Sequence, residues 1–292
     1  MARTLTPERK ALKEQALSLR YDYGWDIRQI AGQLDVKKST IHLWVSNNSG
    51  TGLSNNSARI TLLEGDCLEL VKTIPDNSID CLLTDPPYSV MNDYEWDKKD
   101  ADFYHQWLSQ VKPKLKDRHT GFIFFDARRL YEFEAILRHY FPIQNRIIWI
   151  RKNMSKGRVV KNSFISSYEV VFYFGTRELD LPKNWGAERF DTCEYAVPQS
   201  NFTDKKLHPT QKPINLILHL LKVGSHPGDI VLDCFAGSGV VGRACKIIGN
   251  RKCILMEKES TYNDLIRTWN NNGRDNQVQY YGENHWTGAL AL

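Results

Sequence analysis

The most specific chemistry in the chain is carried by five consecutive residues, Thr84-Asp85-Pro86-Pro87-Tyr88. A proline has no N–H and a fixed φ, so two in a row make a stiff segment that can hold the Pro86 carbonyl beside the Asp85 carboxylate. Two acceptors side by side take both hydrogens of an amino group, and Tyr88 adds a flat face for an aromatic ring. The exocyclic amine of adenine or cytosine is a poor nucleophile because its lone pair is shared with the ring. Hydrogen bonds to both N–H groups orient that lone pair and stabilise the positive charge that builds on nitrogen during attack. The segment follows an apolar run, Ile79 to Leu83, that reads as a strand, and α/β folds bind ligands at the carboxyl ends of strands. The same residues would also make a rigid turn closing that strand.

A second cluster lies far downstream. A strand candidate, Ile230 to Cys234, runs into Phe235-Ala236-Gly237-Ser238-Gly239 and then into a helical Val240 to Ile248. The glycines let the backbone turn sharply and let a ligand approach it, and the helix presents free N–H groups at its start. A further strand candidate ends at Glu257, twenty residues after Gly237, the separation at which an acidic side chain meets ribose hydroxyls. The glycines lack the spacing GxGxxG and no Lys-Ser/Thr pair follows them, which disfavours a dinucleotide fold and a P-loop. A nucleoside cofactor without pyrophosphate fits better. Taken alone, the loop would serve equally as a turn with glycines for packing.

These segments need a framework, and the composition permits one. The chain has 292 residues, 41% hydrophobic and 25% charged, which is ordinary globular usage and excludes wholesale disorder, collagen and coiled coil. Its apolar runs fall far short of the ~20 residues of a membrane span, and the N-terminus has no apolar signal stretch, so the expected location is cytoplasmic. A net charge of +5 permits a polyanionic partner without demanding one. Six cysteines without a CxxC pair read as reduced thiols, and no metal site is expected. From residue 59 to 292, short apolar runs alternate with helical patterns, the signature of an α/β domain. Strands are expected over 60–64, 79–84, 121–125, 147–151, 170–175, 230–234 and 252–257, with helices over 102–115, 127–139, 213–223, 239–248 and 259–270. A Gly/Ser/Asn-rich connector, 47–58, separates this domain from three helix-like segments in residues 1–46.

Within those segments Ile30-Ala31, Leu34-Asp35-Val36, Ser39-Thr40-Ile41 and Trp44 resemble the helix-turn-helix pattern of phage and bacterial DNA-binding proteins. The resemblance implies that the third helix offers Lys37, Lys38, Ser39, Thr40 and His42 to the major groove and the phosphates. A three-helix bundle used for protein contacts would have the same apolar face.

The second domain carries a more specific resemblance. Asp85-Pro86-Pro87-Tyr88, Phe235-Ala236-Gly237-Ser238-Gly239 and His208-Pro209-Thr210-Gln211-Lys212-Pro213 together resemble the catalytic, cofactor-loop and methionine-end motifs of S-adenosylmethionine-dependent DNA amino methyltransferases. With the catalytic motif first, their order is similar to the circularly permuted beta class. The match runs from about Ile60 to Asn270 and implies a Rossmann-like methyltransferase sheet with helices on both faces. It further implies that Phe235, Ala236, Gly237, Ser238 and Gly239 surround the cofactor and that Glu257 holds its ribose. Asp66 would lie near the cofactor's adenine, and Thr210 and Lys212 near its methionine carboxylate. Asp85, Pro86, Pro87 and Tyr88 would form the catalytic site. The stretches around Ile148-Trp149, Lys152-Asn153 and Tyr168-Glu169 also match. Where family members have Lys-Pro-Gly in a turn before a central strand, this chain has Leu115 to Gly121. The segment 176–206, the place of a target-recognition insert, has only 31 residues.

The expected reaction is one-step transfer of a methyl group from the sulfonium of S-adenosylmethionine to the N6 amine of an adenine flipped out of double-stranded DNA. Cytosine N4 is the alternative target; aspartate at position 85 favours adenine by resemblance. A DNA-binding regulator with an inert methyltransferase fold is the alternative from another class. A homodimer and a cognate restriction nuclease are compatible with the resemblance.

Overall fold

A computed structural model of the chain describes residues 27–48, 58–89, 97, 99–152, 164–181, 189–198, 210–271 and 278–281, together with positions 9, 10, 12, 13 and 16. Most of the connector, and Asn153, His208 and Pro209 of the matched motifs, lie outside the described residues.

Among the described residues of the N-terminal unit, positions 9, 10, 12, 13 and 16 are helical, and two helices follow them, Ile27–Leu34 and Lys38–Asn48. They are joined at Asp35, whose φ of 50° is left-handed backbone that a short polar side chain tolerates. The Val36 N–H donates to the Ala31 carbonyl at 3.1 Å and closes the first helix. Ile30, Ala31, Ile41 and Trp44 meet Ala16 in a small core of their own, packed around by Leu12, Ile27, Leu34 and Val36. The apolar spacing predicted this face. Lys37, Lys38, Ser39 and His42 are exposed and Thr40 is half-buried. The second helix runs on to Asn48, into the first two residues of the expected connector.

The second unit is a nine-stranded sheet: β1 Arg59–Glu64, β2 Ile79–Thr84, β3 Leu115–Asp126, β4 Ile143–Arg151, β5 Tyr168–Gly175, β6 Thr192–Tyr195, β7 Ile230–Asp233, β8 Lys252–Glu257 and β9 Val278–Tyr281. Their spatial order is β6-β4-β5-β3-β2-β7-β8-β1-β9. β5 runs antiparallel to both its neighbours, β3 and β4, and the other pairings are parallel. The central strands β2 and β7 are buried at every position, which is why their apolar residues do not alternate with exposed ones.

From β2 the chain crosses to β3 through the helix Ala101–Val111, whereas from β7 it moves the opposite way along the sheet, to β8, through Val240–Ile248. Right-handed crossovers in opposite directions put these helices on opposite faces. The packing agrees: Ala101–Val111 lies against Leu130–Tyr140, and Ile214–Gly224 lies against Val240–Ile248.

Three features depart from the expected elements. Leu115 to Gly121 is not a separate turn but the start of β3, where pairing jumps from Ile79–Leu115 to Cys81–Thr120 and pushes residues 116–119 outward. Lys116 then reaches back to Asp80 at 2.9 Å, and the His119 carbonyl accepts from the Thr176 and Arg177 N–H groups. The strands β6 and β9 have four residues each and lie at the two edges, too short to show a period. Among the described residues no helix is long and apolar enough to cross a membrane.

One side chain ties the centre of the sheet. Thr84, the last residue of β2, donates through Oγ1 to Asp233 Oδ1 at 2.7 Å and accepts from the Cys234 N–H at 3.1 Å. All three residues are buried. Thr84→Val keeps the shape and removes the hydroxyl, leaving a buried carboxyl short of a donor and a buried N–H short of an acceptor. The expected loss is about 1–3 kcal/mol of unfolding free energy in urea titration; an unchanged midpoint would mean that the clamp contributes nothing net.

Candidate active site

β2 and β7 are neighbours whose chains leave in opposite directions, so their carboxyl ends flank a crevice. A cavity of about 300 Å³ occupies it. The loops after β1, β2 and β7 deliver Asp66, Asp85 to Tyr88 and Phe235 to Ser238 to its wall, the last residue of β8 delivers Glu257, and Thr210 and Lys212 enter ahead of the helix Ile214–Gly224. The residues expected at the cofactor and at the reacting group are thus brought into one space, with Gly239 the exception. That residue sits behind the loop with a φ of 74°, and a Cβ there would come within 2.8 Å of Ile266 and Trp269. Its place is structural: it starts the helix Val240–Ile248 and lets the helix Ser260–Asn271 pack close.

On the cofactor side, Gly237 has a φ of 50°, and its N–H donates to Glu257 Oε2 at 2.6 Å. The other carboxylate oxygen accepts from the Glu259 N–H at 2.8 Å. Among the described residues no cation pairs with Glu257, and burial pushes its carboxyl up to about 7 despite those N–H donors. A buried carboxylate with spare lone pairs and no cation suits a ligand that brings hydroxyl donors, as the diol of a ribose does. Asp66 is more committed. It caps the short helix Cys67–Leu70 through the Leu68 N–H at 3.0 Å and pairs with Lys258 at 3.1 Å. Burial pushes its carboxyl up, but those donors outweigh burial and hold it below its ordinary value.

The chemical side is a braced loop. The Tyr88 and Ser89 N–H groups donate to Asp97 Oδ1 at 2.6 and 3.0 Å, and the Tyr104 hydroxyl donates to the Pro87 carbonyl at 2.6 Å. Arg129 donates to the Tyr88 carbonyl at 3.1 Å. With those carbonyls taken, that of Pro86 accepts nothing from any described residue. The side chains differ from the simplest expectation, in which Asp85 stands open and Tyr88 offers a bare face. The Tyr88 hydroxyl donates to Asp85 Oδ1, and its ring is buried against Phe125 at 5.0 Å between centroids. Lys212 donates through Nζ to Asp85 Oδ2 at 2.6 Å. Its ammonium therefore points at the catalytic carboxylate, with the Thr210 carbonyl 3.4 Å away.

Sequence reasoning assigned no role to Glu169. Because β5 is antiparallel, its first residues lie at the same edge as the last residues of its parallel neighbours, and Glu169 enters the cavity there. Its Oε2 lies 3.1 Å from Lys212 Nζ and 3.4 Å from the Tyr88 hydroxyl, and its Oε1 lies 3.5 Å from Arg151. The signal was a glutamate heading an apolar run, Val170 to Phe174. Asp97 and Asp233 carried no comparable mark. Burial pushes Asp85 up to about 6, aided by Glu169 and opposed by Lys212 and Tyr88. Burial also pushes Asp233 up to about 7. For Lys212, burial works against the charge, but the carboxylates of Asp85 and Glu169 outweigh it and raise the ammonium's pKa.

All six cysteines are buried and free, and burial pushes the Cys81 and Cys234 thiols up to about 12, far from a reactive thiolate. Among the described residues no group of His, Cys, Asp or Glu side chains is placed to hold a metal ion.

Similarity to known proteins decides the family. A family model described as DNA methylase, covering N6 and N4 enzymes, matches residues 79–268, well over half the chain. The chain belongs to this DNA methylase family. Among its relatives, the type II methyltransferase M.HinfI of Haemophilus influenzae is 29% identical over 243 residues, which is 70% of this chain and 66% of that enzyme. The type II methyltransferase M2.MboI of Moraxella bovis is 26% identical over 244 residues, 73% of this chain and 88% of its own. The fold is shared with the crystal structure of an M1.HpyAVI–SAM complex, with a TM-score of 0.59 at 24% identity, covering 73% of this chain and 99% of that one.

The pH dependence of cofactor binding tests the Glu257 assignment. The carboxylate accepts hydroxyl protons and the protonated acid does so poorly, so affinity for S-adenosylmethionine should rise as the pH passes up through about 7, the value to which burial moves Glu257. Glu257→Gln cannot ionise; calorimetric titration should show binding weaker by about 1–3 kcal/mol and flat across that range. The wild-type profile persisting in the variant would assign the titration to another group.

Proposed function

We propose that the protein is a site-specific, S-adenosylmethionine-dependent DNA methyltransferase acting on the N6 amine of adenine. One observation carries the reading: the Asp85 carboxylate and the neighbouring Pro86 carbonyl share a cavity with the Gly237 loop and Glu257, at the crevice between β2 and β7. Three adjacent strand ends thus hold a nucleoside pocket against a pair of acceptors suited to an amine.

The cofactor is S-adenosylmethionine, which supplies an electrophilic methyl group on a sulfonium. Glu257 accepts its ribose hydroxyls, and the backbone at Gly237 and Ser238 lets it lie close. On the other side the target base leaves the duplex and enters the cavity. Asp85 and the Pro86 carbonyl each accept one N–H of its amine, orienting the lone pair and stabilising the charge that develops on nitrogen. Alignment of the two reactants contributes most of the acceleration, on the order of 7–11 kcal/mol. The amine becomes strongly acidic only once the methyl has arrived, so no base is needed to start the reaction. Asp85, with its carboxyl raised to about 6, is placed to accept the proton that then leaves.

The order of the motifs supports the permuted beta class: β2 precedes β7 in the chain and lies beside it in the sheet. The N-terminal helical unit, with Lys37, Lys38, Ser39 and His42 exposed, supplies duplex contacts that the short segment 176–206 leaves scarce. The family embraces both N6 and N4 enzymes, and the aspartate at position 85 leans towards adenine by its resemblance to the adenine members.

Incubating plasmid DNA with the purified protein and S-adenosylmethionine should yield N6-methyladenine at a defined site on single-molecule mapping. N4-methylcytosine as the product would overturn the base assignment, and no modified base would overturn the activity. Asp85→Ala should abolish transfer while the cofactor still binds, because the Gly237 loop and Glu257 are untouched; retained turnover would sink the mechanism. Replacing Lys37 and Lys38 by alanine should weaken DNA binding and flatten its dependence on salt by about one logarithmic unit for each phosphate no longer neutralised. An unchanged salt slope would make the N-terminal helices a module for something other than DNA.

A further inference from the structure

The Lys212 ammonium sits where the proposed reaction needs an open acceptor. Tyr88 holds Asp85 Oδ1, so Oδ2 is the oxygen left for a base amine, and Lys212 Nζ occupies it at 2.6 Å. A lysine ammonium and an exocyclic amine both present N–H donors, so they compete for the same acceptor. Driving the ammonium away without a new partner would strand a charge in a buried site, which is strongly unfavourable. The structure holds a second seat. Glu169 Oε2 already lies 3.1 Å from the same Nζ, and the flexible four-carbon stem needs only a small rotation to favour it.

We propose that Glu169 is a positioning residue that takes over the Lys212 ammonium when the target amine arrives, thereby releasing Asp85 Oδ2 as an acceptor. The proposal rests on the methyltransferase reading of the same site. It also accounts for a cation beside a reaction that builds positive charge on nitrogen: paired with Glu169, the ammonium opposes that charge less. Arg151, 3.5 Å from Glu169 Oε1, leaves Oε2 to the lysine. The direction of β5 matters, since a parallel strand would have placed its first residues at the far edge of the sheet. The target amine binds only the fraction of enzyme whose lysine has moved, so its apparent affinity is set by that fraction.

A double-mutant cycle separates this role from a structural one. Four proteins are compared: wild type, Glu169→Gln, Lys212→Met and the double variant. The probe is a pair of duplexes differing only at the mapped target position, one with adenine and one with purine, which lacks the amine. The ratio of their dissociation constants reports how well the acceptors take the amine, and it needs no cofactor. Glu169→Gln should reduce the preference for adenine about tenfold and slow methyl transfer by a similar factor, with S-adenosylmethionine affinity changed less than about twofold. In the Lys212→Met background the same change should alter the ratio by less than about twofold, because no ammonium remains to be seated.

Equal losses in both backgrounds would overturn the proposal and leave Glu169 as a brace for Tyr88 or Arg151. No loss in either background would overturn it as well. Wild-type protein that transfers no methyl group to any DNA would overturn instead the activity on which the proposal rests.

Discussion

Neighbouring parallel strands that send their connections to opposite faces leave a gap that neither connection covers. In this chain the strands are β2 and β7, and the gap is the cavity. Everything chemical depends on the gap staying open while its two sides stay in register. Thr84 and Asp233 meet the second requirement by joining the strands at their last residues. The first is met by the loops themselves, which are braced from behind: Asp97, Tyr104 and Arg129 hold the backbone of Pro87 and Tyr88, and Glu257 holds Gly237. Such bracing fixes the backbone that carries the acceptors, so the loops themselves need little reorganisation.

The cavity gathers more charge than a folded protein ordinarily buries. Asp85, Glu169, Asp233 and Glu257 line it with Lys212 and Arg151 among them. Burial raises three of those carboxyls to between about 6 and about 7. Perturbed groups clustered in a cleft are characteristic of a working site, because a well-packed apolar core would be at least as stable. Lys212 is shared by Asp85 and Glu169, so these three buried charges satisfy one another, whereas Glu257 is held only by backbone N–H groups. The N-terminal unit follows a different logic, with a small apolar core and an exposed polar face.

Much of this was legible in the residues. The apolar runs at 79–84 and 252–257 became strands with the expected bounds, and the helix candidates fell within a few residues of the observed ones, because continuous apolar stretches between turn signals have few other ways to be buried. The Asp85 and Gly237 motifs announced themselves through proline and glycine, whose backbone restrictions are local and therefore visible in one dimension. The edge strands β6 and β9 did not, since four residues are too few for a period. The register jump in β3 did not either: it depends on which residues of β2 and β5 lie alongside.

Local chemistry thus determined which residues can accept an amine, which loop can admit a nucleoside and which runs must be buried. Only the tertiary structure decided that Lys212 and Glu169, far from Asp85 in the chain, meet it within one cluster, and that Gly239 serves packing instead of lining the cavity. Which charges become partners is set by strand order and direction. Those follow from long-range packing of the whole sheet, and no short segment encodes the direction in which a distant strand will run.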